Sequence, residues 1–362
     1  MSAILFIVIL AVLVFIHELG HFLIAKKSGV RVDEFAVGFP PKLFSFKKGE
    51  TTYSINLIPF GGYVKIFGED PNEESIKGKD SGRSLVNKPK YIQAAVLLGG
   101  ILFNIIFAWL LISASLMSGY KMPVESARYP VTNTKITILS VLENSPAKTA
   151  GLMAGDEIIS MTEGTLASVI PNEVPDVQKF ISESKSKIQI SYNRNGENKN
   201  IDIEPALGVS GENRAIGISM SKVGEVRLPF YKAFWEGGKL TYEVVYQTFF
   251  GLLDFFGKAF RGKADISQVS GPVGIAGLVG DASHFGFIYL LGFTAFISIN
   301  LAVINFMPFP ALDGGRVFFL IIEAIIRRPI SPKILNFVNA LGFIFLIGLM
   351  LYVTYFDIVK LF

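Results

Sequence analysis

Hydropathy divides the chain into four long apolar runs separated by segments of different character. The first covers residues 2–25. The second lies within 91–120 and the third within 285–312, and neither holds an Asp, Glu, Lys, Arg or His. The fourth covers residues 334–356. Each is long enough for the ~20 residues that a helix needs to cross a bilayer, so each is predicted to be a transmembrane helix. Between the first two runs, residues 51–66 alternate in part, break at Gly61-Gly62 and resume with Tyr63-Val64-Lys65-Ile66. That pattern predicts a β-hairpin. It is apolar for a loop, which leaves two forms: a hairpin dipping toward the membrane where protein covers its backbone groups, or an ordinary soluble hairpin.

Beyond the second run the pattern shifts to short alternating segments. Residues 136–141, 188–192 and 199–203 read as strands and 176–184 as a short helix, within a soluble part spanning about 131–205. Residues 229–262 are rich in aromatics, and Phe249, Leu252, Leu253, Phe256 and Phe260 recur at helical spacing. Charges and glycines interrupt them too often for a span. An amphipathic helix fits, either lying at the outer membrane interface or packing onto the soluble part.

Composition agrees with this layout. Hydrophobic residues make up 51% of the 362, Phe numbers 32, and mean hydropathy is +0.47. These are membrane values. The net charge of +4 is small, and no basic patch with interleaved aromatics points to nucleic acid. Charge placement says more. Residues 26–90 hold 12 Lys/Arg against 8 Asp/Glu, and residues 327–333 hold three basic residues and no acid. Residues 121–225 hold 11 basic and 13 acidic residues. The basic loops are therefore expected on the cytoplasmic side, with the long soluble segment and both termini outside. The first run lacks a basic leader and a small-residue cleavage site, and reads as a retained anchor.

One stretch inside the first run carries the chemistry. His17-Glu18-Leu19-Gly20-His21 puts two imidazoles four residues apart, on one face of a helix, with a carboxylate beside the first. These three are the only ionisable residues of 2–25, and ionisable groups are expensive inside a span unless they function. The plainer alternative is a pair of histidines packing a helix interface. Two imidazoles do not close a zinc site, so a third ligand must come from elsewhere, with one position left for water. The chain has no cysteine, which restricts that ligand to His, Asp or Glu. Asp313 follows the uncharged third run and is expected near the cytoplasmic side, at the depth of His17 and His21. Otherwise it would be an interfacial acid capping the next helix. His284, on the outer side, is too far away to join them.

Taken together these residues resemble the site-2 protease family of intramembrane zinc metalloproteases, closest to bacterial members of regulated intramembrane proteolysis. Residues 15–22 match its zinc helix and 305–315 its Asn-x-x-Pro-x-Pro-x-Leu-Asp-Gly-Gly motif. Residues 60–65 match its Gly-Gly-Tyr hairpin, and 270–275 match a loop before the third span. Residues 145–159 are similar to the hallmark stretch of PDZ domains, which implies capture of an extended peptide. Some relatives carry two such domains, and this chain has room for one. The resemblance implies Zn2+ held by His17, His21 and Asp313, with Glu18 as catalytic acid and base. It further implies that Asn305 and Asn300 bind the substrate backbone and that Gly61-Gly62-Tyr63 pairs with substrate as an added strand.

The expected fold is a polytopic α-helical membrane protein with four transmembrane helices, a membrane-associated β-hairpin and one inserted extracytoplasmic PDZ-like domain. The expected divisions are 1–120, 121–225, 226–283 and 284–362. The expected function is hydrolysis of single-span transmembrane substrates, such as anti-sigma factors or signal-peptide remnants, in a bacterial inner membrane. The expected partners are that substrate and the lipid bilayer; the PDZ-like domain either binds a peptide or only gates access. The alternative is a non-catalytic membrane receptor that binds exported peptides. An intact Glu18 separates the two readings, since a scaffold has no need of that acid.

Overall fold

The computed structural model describes residues 2–70, 72–164, 168–194, 196–210, 213–263 and 269–359. In chain order the elements begin with α1 (Ser2–Lys27), β1 (Val32–Lys48), β2 (Thr51–Ile66), α2 (Glu73–Lys77) and α3 (Lys90–Ser118). Next come β3 (Tyr120–Pro123), β4 (Thr132–Val141), α4 (Pro146–Ala150), β5 (Glu157–Glu163) and α5 (Val174–Glu183). Then follow β6 (Ile188–Arg194), β7 (Glu197–Ile203), β8 (Ala206–Ser210), β9 (Asn213–Ala215) and β10 (Ile218–Val226). The chain ends with α6 (Phe230–Phe260), α7 (Pro272–His284), α8 (Phe287–Phe306), α9 (Asp313–Ile326) and α10 (Pro332–Val359). All four apolar runs are helical: α1, α3, α8 and α10 are long and apolar enough to cross a membrane. The segment read as amphipathic is also one helix, α6.

The chain forms two compact units. The first comprises residues 1–111, 238–277 and 294–362, the second 112–237 and 278–293.

In the first unit, α1 buries a single stripe: Ile9, Leu13, His17, Gly20, His21 and Ala25. This spacing of three and four residues puts both histidines on the face turned into protein. A neighbouring apolar cluster, Ala25, Val30, Val32, Phe35, Val64, Ile66, Leu85 and Val96, fastens α1 and α3 to the β-sheet. That sheet differs from the expected hairpin. The tight turn falls at Gly49, φ +64°, not at Gly61-Gly62. Phe35 pairs with both Tyr53 and Val64, and Ala36 with both Ser54 and Tyr63. Four segments therefore lie side by side in the order 42–48, 51–56, 34–37 and 62–65. Gly61, φ +95°, lets β2 bend back and become the last of them. Glu50, at the tight turn, bonds to Arg83 and Lys26, each within 2.7 Å. Those two cations hold its carboxyl at about 2.

The second unit is built on an antiparallel sheet, order β3-β10-β4-β5-β6-β7. Its core holds Ile136, Ile138, Leu152, Met161, Val177, Ile181, Ile188, Ile190 and Ile203. Beyond residues 131–205 the sheet gains β10 and then β3 along one side, with Ile218 facing Val141 and Val226 facing Tyr120. Their short alternations gave too weak a pattern in sequence, and pairing to β4 is what makes them strands.

Candidate active site

Three donors meet where α1 faces the start of α9. His17 Nε2 lies 3.0 Å from Asp313 Oδ2, His21 Nε2 lies 3.2 Å from His17 Nε2, and His21 Nε2 lies 3.4 Å from Asp313 Oδ2. Ligands about 2.0–2.1 Å from a tetrahedral zinc ion stand roughly 3.3–3.4 Å apart, so the three atoms are spaced as a face of that tetrahedron. The donor chemistry also fits: two imidazoles and a carboxylate, with no thiolate in the chain. His17 and His21 are buried, 8% and 7% exposed. Their rings meet edge to face, 4.8 Å between centroids. The far nitrogen of His21, Nδ1, donates to the Val96 carbonyl at 2.8 Å, which leaves Nε2 with a free lone pair.

Backbone contacts make this convergence possible. A Cβ at Gly99 would sit 2.8 Å from the Gly20 carbonyl oxygen, and one at Gly100 would sit 2.5 Å from His21 Nε2 and 2.7 Å from His17 Cε1. Only glycine lets α3 come this close to the histidine face. Asp313 arrives by a broken helix. α8 ends at Phe306, Pro308 and Pro310 occupy the turn, and α9 restarts at Asp313. A side chain at Gly314 or Gly315 would overlap the carbonyl oxygens of Phe306, Met307 or Phe309, so the Gly-Gly pair lets α9 fold tightly back. One turn on, Arg316 bonds to Glu69, tying α9 to the segment after β2.

Glu18 sits beside the donors. Its carboxylate interacts with the charges of His21 and Asp313, and the Val64 N–H bonds to it. The sheet edge 62–65 runs along it: a Cβ at Gly62 would lie 3.7 Å from Glu18 Cγ and 2.7 Å from the Ala36 carbonyl oxygen. Gly62 thus lies against the Glu18 side chain, while a Cβ at Gly61 would meet Phe39 and Val14. Tyr63 follows the two glycines and interacts with Glu34 and Asn56 on the sheet. Asn305 is half-buried in the last turn of α8. Asn300 donates to the Phe296 carbonyl of its own helix at 2.8 Å. His284 is exposed at the end of α7. A cavity of about 730 Å3 opens among Glu69, Leu97, Arg316 and Glu323, next in sequence to residues that hold the donors.

Sequence reasoning missed Val96, the Gly99-Gly100 pair and Asn104, all on α3. Asn104 is wholly buried and places Nδ2 3.2 Å from His17 Nδ1, while Ser298 Oγ donates to its carbonyl at 2.9 Å. A Gly-Gly pair and an amide inside an uncharged run were the available signals.

The comparisons with known proteins follow this geometry. Residues 5–349 match the family model described as Peptidase family M50. A Clostridium perfringens protein named as a zinc metalloprotease is 35% identical over 350 residues, 96% of this chain and 95% of its own. The zinc metalloprotease RasP of Shouchella clausii is 32% identical over 432 aligned residues, 99% of this chain and 98% of its own. Among solved structures, the PDZ domain of the SdrC-like protein of Listeria monocytogenes is similar over 25% of this chain and 92% of that one, at 22% identity and a TM-score of 0.21. Matched across nearly its whole length and related end to end to zinc metalloproteases, the chain belongs to Peptidase family M50, the site-2 protease family, and is a membrane metalloprotease that uses zinc.

Proposed function

We propose that this chain is an intramembrane endopeptidase that cuts transmembrane segments of single-span proteins, with His17, His21 and Asp313 as its zinc ligands. The observation that carries the reading is the approach of those three donors to within 3.0–3.4 Å of one another, His17 and His21 on a helix of membrane-spanning character and Asp313 at the start of the shorter α9, just beyond the spanning helix α8. Zinc in such a site supplies Lewis acidity, drawing charge from a carbonyl oxygen and acidifying water. Glu18 takes the proton of the attacking water and passes it to the leaving amine. Its place beside the donors, rather than among them, supports that role.

A substrate helix hides its scissile carbonyl in its own hydrogen bonds, so it must unwind, and the freed groups need new partners in a dry place. The edge segment at Gly62 can supply them by strand addition, and Asn305 by its side-chain amide. Glycine at 62 supports this, because a bare backbone there lets a substrate strand lie close to Glu18. Asn300 is the weakest member of the proposed substrate site, since its amide is engaged on α8. The basic loops favour a cytoplasmic position for the site and outward termini, and the cavity at Glu69 and Arg316 would bring water from that side. Anti-sigma factors and signal-peptide remnants both have the substrate form required. The second unit, read as PDZ-like, would hold or screen an extended peptide outside the membrane.

The test is reconstitution of the full chain in lipid with a single-span substrate. Glu18→Gln is expected to keep zinc and lose at least ~100-fold in cleavage rate. Undiminished cleavage by that variant would refute the assignment. Retention of zinc and substrate binding without any cleavage by the unaltered chain would favour a receptor.

A further inference from the structure

The two nitrogens of His17 face different surroundings. Nε2 points at Asp313 and His21. Nδ1 faces the side-chain amide of Asn104, with Nδ2 at 3.2 Å. Asn104 is 0% exposed, and its Oδ1 has no hydrogen-bond partner among the described residues. A buried acceptor left unpaired costs about 1–3 kcal/mol, so its presence beside a candidate metal ligand calls for a reason.

Ring chemistry gives one. An imidazole that offers Nε2 to an ion keeps its proton on Nδ1, and that N–H needs an acceptor. His21 has one, the Val96 carbonyl at 2.8 Å. Among the described residues His17 has no backbone carbonyl in that position; it has the Asn104 amide. Oxygen and nitrogen of an amide are nearly the same size, so a half-turn of its last torsion exchanges Nδ2 for Oδ1. In one orientation the amide donates to a bare Nδ1. In the other it accepts from Nδ1–H. The backbone beneath it is held: Ser298 Oγ on α8 donates to the Asn104 carbonyl at 2.9 Å, and Ser298 is itself 0% exposed.

We propose that Asn104 is a positioning residue of the zinc site, its Oδ1 accepting the Nδ1–H of His17 and thereby fixing that ring with Nε2 turned toward the ion. This rests on His17 being a zinc ligand. Asn104 acts through His17 and does not itself touch substrate. Leucine at 104 would fill the space and offer no acceptor. Aspartate would fill it and only accept.

The experiment loads purified full-length protein in detergent with Zn2+ for affinity and Co2+ for its visible spectrum, with thermal unfolding as a check on folding. Asn104→Leu is expected to bind zinc about 10–100-fold more weakly and to shift the cobalt bands. Asn104→Asp is expected to hold zinc within about threefold of the unaltered chain, since the acceptor is kept. A folded Asn104→Leu protein with unchanged zinc affinity and cobalt spectrum would overturn the proposal. Should Asn104→Leu not fold, the aspartate variant decides: a folded Asn104→Asp protein that loses zinc tenfold or more contradicts it. A His17→Ala arm separates the two levels. If its cobalt spectrum is unaltered, the ligand assignment falls, and Asn104 with it; if it alone is altered, only the role of Asn104 is lost.

Discussion

Asp156 in the second unit and Asp313 in the first are both acids enclosed by protein, and their surroundings differ in kind. Arg194 Nε and Nη2 reach the two oxygens of Asp156 at 2.6 and 2.7 Å, and the Met153 N–H donates at 2.9 Å. Among the described residues these donors engage both oxygens of Asp156, whose side chain is 1% exposed. Asp313 faces two imidazoles at 3.0 and 3.4 Å, and His21 turns its other nitrogen, Nδ1, to the Val96 carbonyl. Nε2 of both imidazoles and an oxygen of Asp313 therefore converge on one place, where a shared positive charge would hold all three. Burial alone does not mark a functional acid. An acid paired to a guanidinium holds a fold together, and an acid set against two imidazoles that can themselves ligate is arranged for a cation.

That contrast can be broken by exchanging consequences between the two sites. Asp156→Ala leaves the Arg194 guanidinium and the Met153 N–H without their acceptor. The guanidinium is one-fifth exposed, so the cost is expected near the low end for a broken buried pair, about 2–3 kcal/mol. Hydrogen exchange in the full chain should quicken across 157–163 and 188–194 while zinc content stays unchanged. Loss of zinc in this variant would show that the two acids do not play separate parts. Gly100→Ala sharpens the other side. Its Cβ would overlap both imidazoles, so α3 must back away and spread the donors. Overpacking of this kind costs about 1–3 kcal/mol, and zinc affinity should fall roughly tenfold with exchange in the second unit unaltered. Unchanged zinc binding would mean that the helix approach does not set the donor spacing.

Much of the layout is legible in the chain itself. Long apolar runs without charge give α1, α3, α8 and α10, because a membrane imposes length and composition at once. The histidine spacing places two imidazoles on one face, and α1 buries that face. Asp313 stands out because it follows 28 uncharged residues, 285–312. What escapes notice depends on contacts between distant segments. The side-by-side order of 42–48, 51–56, 34–37 and 62–65 needs one stretch, 34–37, to pair on both edges, and no local alternation encodes that. Gly99, Gly100 and Asn104 lie in a helical run where any small or amide residue would look tolerable. Their meaning comes from what packs against them: Gly20, the two rings and Ser298. β10 likewise reads as a strand only once β4 lies beside it.

The account turns on one ion held by two imidazoles of α1 and the carboxylate that begins α9. X-ray absorption at the zinc edge of purified full-length protein reads this directly. It should find nitrogen and oxygen neighbours at about 2.0–2.1 Å, scattering from two imidazole rings and no sulfur. Asp313→Ala should then hold zinc weakly or not at all. Zinc without imidazole scattering, or a fully loaded Asp313→Ala protein with the same spectrum, would contradict it.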